Sequence, residues 1–236
     1  MSTGPPYSYT WAPARPPVAR VSTSRRELWH ILIAFVVLSV DFVLILGGVG
    51  YFVRGPGAPF SEVDLAVILT ALAAAFTGFL CHELAHKVYA QRHGFWAEFR
   101  MSPMGLVLSL ITSSFGFLWA APGATVVSGM SEFDRENWGR TSLAGPISNA
   151  AFGGAFYAAT AAAYLAGSVL FPWLAFLAFM NGWFATFNLI PFGPLDGAKV
   201  IRWNRPVWIV TIVGLGALTV VSYGVAAGIW SPLLMR

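Results

Sequence analysis

The sequence HELAH at residues 82–86 brings two histidines and a glutamate within one stretch of five residues. Residues four apart on a helix lie on the same face, so the imidazoles of His82 and His86 can bind one metal ion. Glu83 is placed to reach a water molecule at that ion rather than the ion itself. The spacing predicts zinc-assisted attack of water on a peptide carbonyl, with Glu83 as the general base. The alternative is a histidine pair hydrogen-bonded inside a helix bundle.

A catalytic zinc site usually has a third protein ligand and one open position. The other histidines are poor candidates, because His30 lies at the entry to an apolar segment and His93 lies in a charged turn. Asp196 is better placed, since prolines and glycines within residues 188–197 interrupt an apolar segment and permit irregular backbone around a cavity. The pair Asp196-Gly197 could equally form a simple turn. Spacing alone leaves both interpretations open.

The composition around these residues is that of a membrane protein. Hydrophobic residues make up 57% of the 236 residues and charged residues only 10%, whereas soluble domains carry roughly a quarter charged residues. Residues 141–195 contain no charged side chain and no histidine, and one membrane crossing needs about 20 apolar residues. The net charge of +4 is not gathered in a patch, so no nucleic-acid partner is expected. A single cysteine, Cys81, excludes an intrachain disulfide and a cysteine-based zinc cluster.

The apolar segments predict an all-α polytopic membrane protein with five to six transmembrane helices. These segments are residues 28–53, about 61–90, 141–167, 171–191 and 206–229. Between the second and third of them, residues 105–121 are apolar but short for a span. Residues 95–103 alternate at the period of a strand, and residues 122–130 are a second strand candidate. A small β and re-entrant insertion is therefore expected after the second helix.

Domain organisation and orientation follow from the prolines and the basic residues. Residues 1–24 are expected to be a disordered, Pro- and Arg-rich cytoplasmic tail, and residues 25–236 a single membrane-embedded domain. Basic residues in the tail, after the second helix and after residue 191 predict that these regions face the cytoplasm. Lys87 in the second group is expected to snorkel to the interface. Asp196 can then meet the histidines only if residues 105–121 do not cross about 30 Å of hydrocarbon.

Three motifs occur in a fixed order, HELAH at residues 82–86, AGPISN at 144–149 and NLIPFGPLDG at 188–197. Together they resemble the site-2 protease family of intramembrane zinc metalloproteases. The resemblance covers about half of the chain. It implies one zinc ion per chain and, together with the size of the chain, an integral protein of a prokaryotic cell membrane. The basic residues predict that the N-terminus and the active site lie near the cytoplasmic side.

The resemblance also implies a role for each motif residue. Glu83 would be the general base, and Asn188 would lie near the scissile carbonyl and help to stabilise the oxyanion. The zinc ligands would be His82, His86 and Asp196, and the residues that shape and support the core would be Gly145, Pro146 and Asn149.

The expected activity is hydrolysis of peptide bonds within or near transmembrane segments, as in regulated intramembrane proteolysis. The expected partners are a transmembrane protein substrate, the lipid bilayer and an unidentified regulatory protein. An extended substrate could pair with a sheet edge, which satisfies backbone groups that lipid cannot. Thr125 and Val127 lie on a candidate edge. The alternative is that the two strands only pack a loop.

Two other classes of function are compatible with the same residues. One is a catalytically silent relative that binds membrane segments, and the other is a small transporter that uses His82, Glu83 and Asp196 for protons or metal ions. A silent relative is expected to have lost a ligand or the glutamate, and this chain keeps them. A transporter more often has inverted repeats with paired broken helices, which the sequence does not reveal. The sequence therefore favours a protease.

Overall fold

The computed structural model of the protein describes residues 21–54, 65–119 and 121–226, with no account of side chains at residues 48–54. Most of the predicted tail, residues 1–20, lies outside the described residues, as does the predicted start of the second helix near residue 61. Residues 21–24 were predicted to belong to the tail. In the structure the Ser22 N–H donates to Gln91 Oε1 at 2.8 Å, so this segment has a fixed partner on the helix that carries the histidines.

The described residues form α-helices and one two-stranded antiparallel sheet. In chain order the elements are α1 (Arg25–Arg54), α2 (Leu65–Ala74), α3 (Cys81–Arg92), β1 (Trp96–Met101), α4 (Pro103–Ser114), β2 (Gly123–Ser128), α5 (Arg135–Leu165), α6 (Phe171–Asn188), α7 (Asp196–Trp203) and α8 (Arg205–Ala226). A π-helical segment, Ala75–Leu80, joins α2 to α3 without a break. Both predicted strands are confirmed, and α7 is a helix that the sequence did not predict.

Three helical stretches among the described residues are long and apolar enough to cross a membrane. They are Arg25–Gly47, Leu65–Arg92 and Arg205–Val225. Helices α5 and α6 are 31 and 18 residues long, pack along each other, and both contact α8. The predicted polytopic, all-α membrane architecture is confirmed, and the count of five to six spans stays a prediction.

The segment between the two strands leaves the sheet and returns to it at the same place. The Ser102 N–H donates to the Pro122 carbonyl at 2.8 Å, and Met101 pairs with Gly123 in the sheet. Helix α4 has 12 residues, which at 1.5 Å per residue is about 18 Å, well short of a bilayer core. A side chain at Gly105 would collide with the Ala121 carbonyl, so glycine is required where the returning chain passes. The segment therefore folds back on itself as a hairpin, and its re-entry into a membrane stays a prediction.

A buried ion pair fixes the β1 side of this sheet to α1 and α3. Glu27 Oε1 accepts from the Phe99 N–H at 3.0 Å, and Glu27 Oε2 accepts from Lys87 Nζ at 2.6 Å. Both side chains are fully buried, with 0% and 1% exposed. The prediction that Lys87 snorkels to the interface is therefore wrong. Glu27 and the Thr23 hydroxyl, 2.7 Å from Nζ, satisfy the ammonium inside the protein.

Two apolar clusters hold the helices that carry the candidate site. The first cluster includes alanines of both α1 and α2, and small residues of this kind allow close packing of helices. In the same cluster Phe42 packs edge-on against aromatic rings of α6. In the second, Val200 of α7 packs with Leu189 at the end of α6 and with Leu215 of α8. The second cluster fixes the position of α7 against the bundle.

The replacement Glu27→Met should destabilise the protein, because it leaves Lys87 buried without its carboxylate partner. Removing one member of a buried pair costs about 3–5 kcal/mol, so thermal unfolding in detergent should move to a clearly lower temperature. The double variant Glu27→Met/Lys87→Met removes both charges and should recover part of that loss. An unfolding temperature unchanged in Glu27→Met would contradict the account of this pair.

Candidate metal centre

The two histidines of HELAH lie one turn apart on α3 and point to the same spot. Both are buried, with His82 4% and His86 7% exposed. Their Nε2 atoms are 3.0 Å apart. The predicted common face of the helix is therefore present, and both rings present the nitrogen that is farthest from the backbone.

Asp196, the first residue of α7, completes a cluster with the two histidines. Its Oδ2 atom lies 3.3 Å from His82 Nε2 and 3.1 Å from His86 Nε2. Ligand atoms of a tetrahedral zinc site, at about 2.0–2.1 Å from the ion, lie about 3.3 Å from each other. The three atoms thus have the mutual spacing of zinc ligands, and they form a compact group of potential ligand atoms among the described residues.

Close packing places Asp196 beside the two histidines. A side chain at Gly197 would collide with the Leu189 carbonyl, so glycine lets α7 begin directly against the end of α6. An anionic carboxylate is the form that binds metal.

Asn149 of α5 determines which nitrogen of His82 carries the proton. His82 Nδ1 lies 2.5 Å from Asn149 Oδ1. The amide nitrogen of Asn149 lies 2.9 Å from the Gly78 carbonyl and 3.3 Å from the Thr77 carbonyl, so it donates to these acceptors. The amide oxygen must then be the acceptor for His82 Nδ1–H. His82 Nε2 is left with its lone pair toward Asp196, as a metal ligand requires.

His86 is oriented in the same way by a backbone group. Its Nδ1 atom lies 2.7 Å from the carbonyl oxygen of Thr141, which can only accept. The proton is therefore on Nδ1, and Nε2 is free to bind an ion. Each histidine thus uses Nδ1 for a hydrogen bond within the protein and presents Nε2 to the cluster.

The π-helical segment just before His82 supplies the carbonyls that Asn149 binds. The wider π turn departs from the α-helical bonding pattern and leaves carbonyls accessible to side chains. Asn149 donates to two of them, and it is also 3.2 Å from Asn181 Oδ1 of α6. Asn181 Nδ2 in turn lies 3.0 Å from the Thr77 hydroxyl. This buried network joins the helix of HELAH to α5 and α6.

Gly145 of α5 leaves an open space beside the two ligand nitrogens. A Cβ atom at Gly145 would lie 2.6 Å from His82 Nε2 and closer still to His86 Nε2. A space that a single added carbon would fill is what a site for one ion requires, so these residues fit zinc. Pro146, fully buried, follows directly and interrupts the backbone hydrogen bonds of α5 at this point.

Glu83 stands apart from the three potential ligands and faces the sheet. Its Oε2 atom accepts from the Thr125 N–H of β2 at 2.8 Å. That Glu83 reaches a water molecule rather than the ion stays a prediction. Val127 lies two residues further along the same strand, on the same side as Thr125.

Asn188, a further predicted site residue, makes a hydrogen bond within its own helix. Its amide nitrogen donates to the Phe184 carbonyl at 2.9 Å, within its own helix. Among the described residues no hydrogen bond joins Asn188 to the histidines or to Asp196.

Two contributors to the centre were missed by the sequence analysis. Thr141 acts through its backbone carbonyl, for which the residue type gives no signal. Asn181 does have a signal, because an asparagine in the uncharged stretch of residues 141–195 is costly in an apolar environment and needs a polar partner.

The chain is similar to proteins named as zinc metalloproteases. Over 166 residues it is 35% identical to "Putative zinc metalloprotease MJ0611" of Methanocaldococcus jannaschii, covering 70% of this chain and 84% of the relative. Over 229 residues it is 26% identical to "Putative zinc metalloprotease Rip3" of Mycobacterium tuberculosis, covering 86% of this chain and 51% of Rip3, about half its length. No family model and no solved structure matches the chain. The relatives' names agree with the predicted zinc dependence.

The replacement Gly145→Ala should abolish zinc binding, because the added methyl group would occupy the space beside both Nε2 atoms. Gly154→Ala in the same helix is the matched control, since a Cβ there meets nothing within 4 Å. Zinc per chain, measured by atomic absorption on detergent-purified protein, should fall only in Gly145→Ala. Equal zinc content in the two variants would show that the space is not used by the ion.

Proposed function

Because the chain belongs to the site-2 protease family of zinc metalloproteases, we propose that it hydrolyses peptide bonds within or near transmembrane segments of membrane-protein substrates. One observation carries this proposal. His82 and His86 of the cluster lie on the stretch Leu65–Arg92, which is long and apolar enough to cross a membrane, and Asp196 of α7 completes the cluster. Ionisable groups in such a helix are costly and are typical of a functional site.

In this proposal His82, His86 and Asp196 would hold one zinc ion. When bound, zinc supplies a Lewis acid that polarises a carbonyl and makes water acidic enough to lose a proton near neutral pH. Glu83 accepts the proton of the attacking water and delivers it to the leaving amine. No covalent bond between enzyme and substrate is needed.

The supporting residues act on the orientation of these groups. Asn149 and the Thr141 carbonyl keep the Nδ1 protons of the two histidines in place, and Gly145 keeps the space open. Asn188 Nδ2 carries two N–H donors, one of which binds the Phe184 carbonyl in this structure, so the second would stabilise the oxyanion.

The free edge of β2 supports a mode of substrate binding. The outer edge of β1 is used by the protein itself, because Glu27 accepts from the Phe99 N–H and Gln91 Nε2 donates to the Ala97 carbonyl at 2.8 Å. On β2, backbone groups of alternate residues face away from β1, so those of Val127 face outward as those of Thr125 do. An extended substrate would pair with β2 at Val127, which would satisfy backbone groups exposed by unwinding a transmembrane helix.

The proposed location is a prokaryotic cell membrane, with the N-terminus and the site near the cytoplasmic side. The support is the distribution of basic residues, which lie in the N-terminal region, after α3 and in α7. The proposed partners are a transmembrane protein substrate, the bilayer and a regulatory protein.

The replacement Glu83→Gln should lower kcat by about 10²–10⁴, because the amide keeps the shape of the side chain but cannot take up a proton. Zinc content should stay at the wild-type level. The assay is cleavage of a single-span reporter protein by purified enzyme in proteoliposomes. Glu132→Gln, at an exposed position, is the matched control and should cleave like wild type.

Cleavage by Glu83→Gln at the wild-type rate would contradict the role given to this residue. A zinc-loaded wild type that cleaves none of a panel of single-span substrates would contradict the proposed function itself. In that case the silent relative that binds membrane segments and the transporter would be the functions to test.

A further inference from the structure

We propose that Thr125 is the positioning residue for the general base, so that the strand offered to the substrate also orients Glu83. This inference rests on the proposed function and deepens it. From the sequence alone, Thr125 is expected only to pair with substrate. The hydrogen bonds of its main chain and side chain point instead to the carboxylate of Glu83.

Both donors of Thr125 meet the same oxygen of Glu83. The Thr125 N–H lies 2.8 Å from Glu83 Oε2, and the hydroxyl Oγ1 lies 2.8 Å from the same atom. The hydroxyl is also 3.0 Å from the main-chain carbonyl of Glu83. The other carboxylate oxygen, Oε1, has no hydrogen-bond partner among the described residues. One oxygen is therefore held, while the other is left to accept a proton.

Thr125 is itself held in place through a closed series of contacts that begins and ends on α3. Thr125 is paired with Phe99 across the sheet. The Phe99 N–H donates to Glu27, and Glu27 pairs with Lys87. Lys87 stands four residues after Glu83, on the same helix. The position of Thr125 relative to Glu83 is thus fixed by contacts at both edges of the sheet, of which those at the β1 edge are buried.

The contact has a consequence for how substrate pairs with β2. While the Thr125 N–H is bonded to Glu83, it cannot donate to a substrate carbonyl. Pairing is left to outward-facing groups such as those of Val127, next to the residue that holds the base. A substrate strand bound there would lie beside an already oriented carboxylate, and proton transfer depends steeply on such orientation.

The decisive comparison is Thr125→Val against Thr125→Ser, assayed by cleavage of the single-span reporter protein in proteoliposomes. Valine keeps the shape but loses both hydroxyl contacts, so kcat should fall about ten- to a hundredfold with KM and zinc content unchanged. Serine keeps the hydroxyl and should restore kcat to near the wild-type value. Val127→Pro, which removes a main-chain donor from the substrate edge, should instead raise KM. Equal kcat in Thr125→Val and Thr125→Ser would overturn the proposal.

A second measurement does not depend on proteolysis and so separates this inference from the proposed function. Hydrogen exchange is followed by mass spectrometry on peptides covering residues 121–130, in full-length protein in detergent. Glu83→Ala removes the acceptor and should speed exchange at Thr125, whereas Glu83→Gln keeps an oxygen acceptor and should retain most of the protection. Exchange in Glu83→Ala that matches wild type would show that no such bond orients the base, whether or not the protein cleaves any substrate.

Discussion

Three potential metal-ligand atoms from two distant parts of the chain lie within 3.3 Å of one another inside an apolar helix bundle. The surrounding elements hold these three atoms in place. Two imidazole nitrogens and a carboxylate oxygen are costly to bury unless each has a partner. The Nδ1 atom of each histidine is hydrogen-bonded, to Asn149 in His82 and to the Thr141 carbonyl in His86. The Nε2 atoms face each other and the position that an ion would occupy.

The path of the chain can be understood from the same constraint. Asp196 must arrive at α3 from the end of α6, which is possible because Gly197 allows α7 to start against Leu189. The hairpin between the strands must return to its starting point, so that β2 passes Glu83. The π-helical segment presents carbonyls to Asn149 just before the first histidine. Each of these local departures from regular structure lies next to a group of the centre.

Part of the centre could be predicted from sequence because its information is local. The spacing in HELAH places two histidines on one helix face, and the prolines and glycines around Asp196 indicate irregular backbone. The alternation in residues 95–103 and the short apolar segment after it indicate a strand followed by a re-entrant loop. Each of these patterns involves only residues that are close together in the sequence, and the structure contains the corresponding helix, strand and hairpin.

Other features could not be predicted because they depend on pairing between distant residues. Lysine is a residue type that is common at membrane interfaces, so the burial of Lys87 is not expected from sequence. It is explained by the contact of Lys87 with Glu27 at the start of α1. Thr141 contributes a main-chain carbonyl, which any residue type would offer. Helix α7 follows a segment rich in proline and glycine, and Val200 packs it against residues of α6 and α8 that are distant in sequence.

The most direct test of the central claim is the zinc content of purified wild type, His86→Ala and Asp196→Ala. The account predicts about one zinc per chain in wild type and little in either variant, because one ion would need ligands from both α3 and α7. Folded Asp196→Ala that retains zinc at the wild-type level would contradict it, since the carboxylate would then not belong to the metal centre.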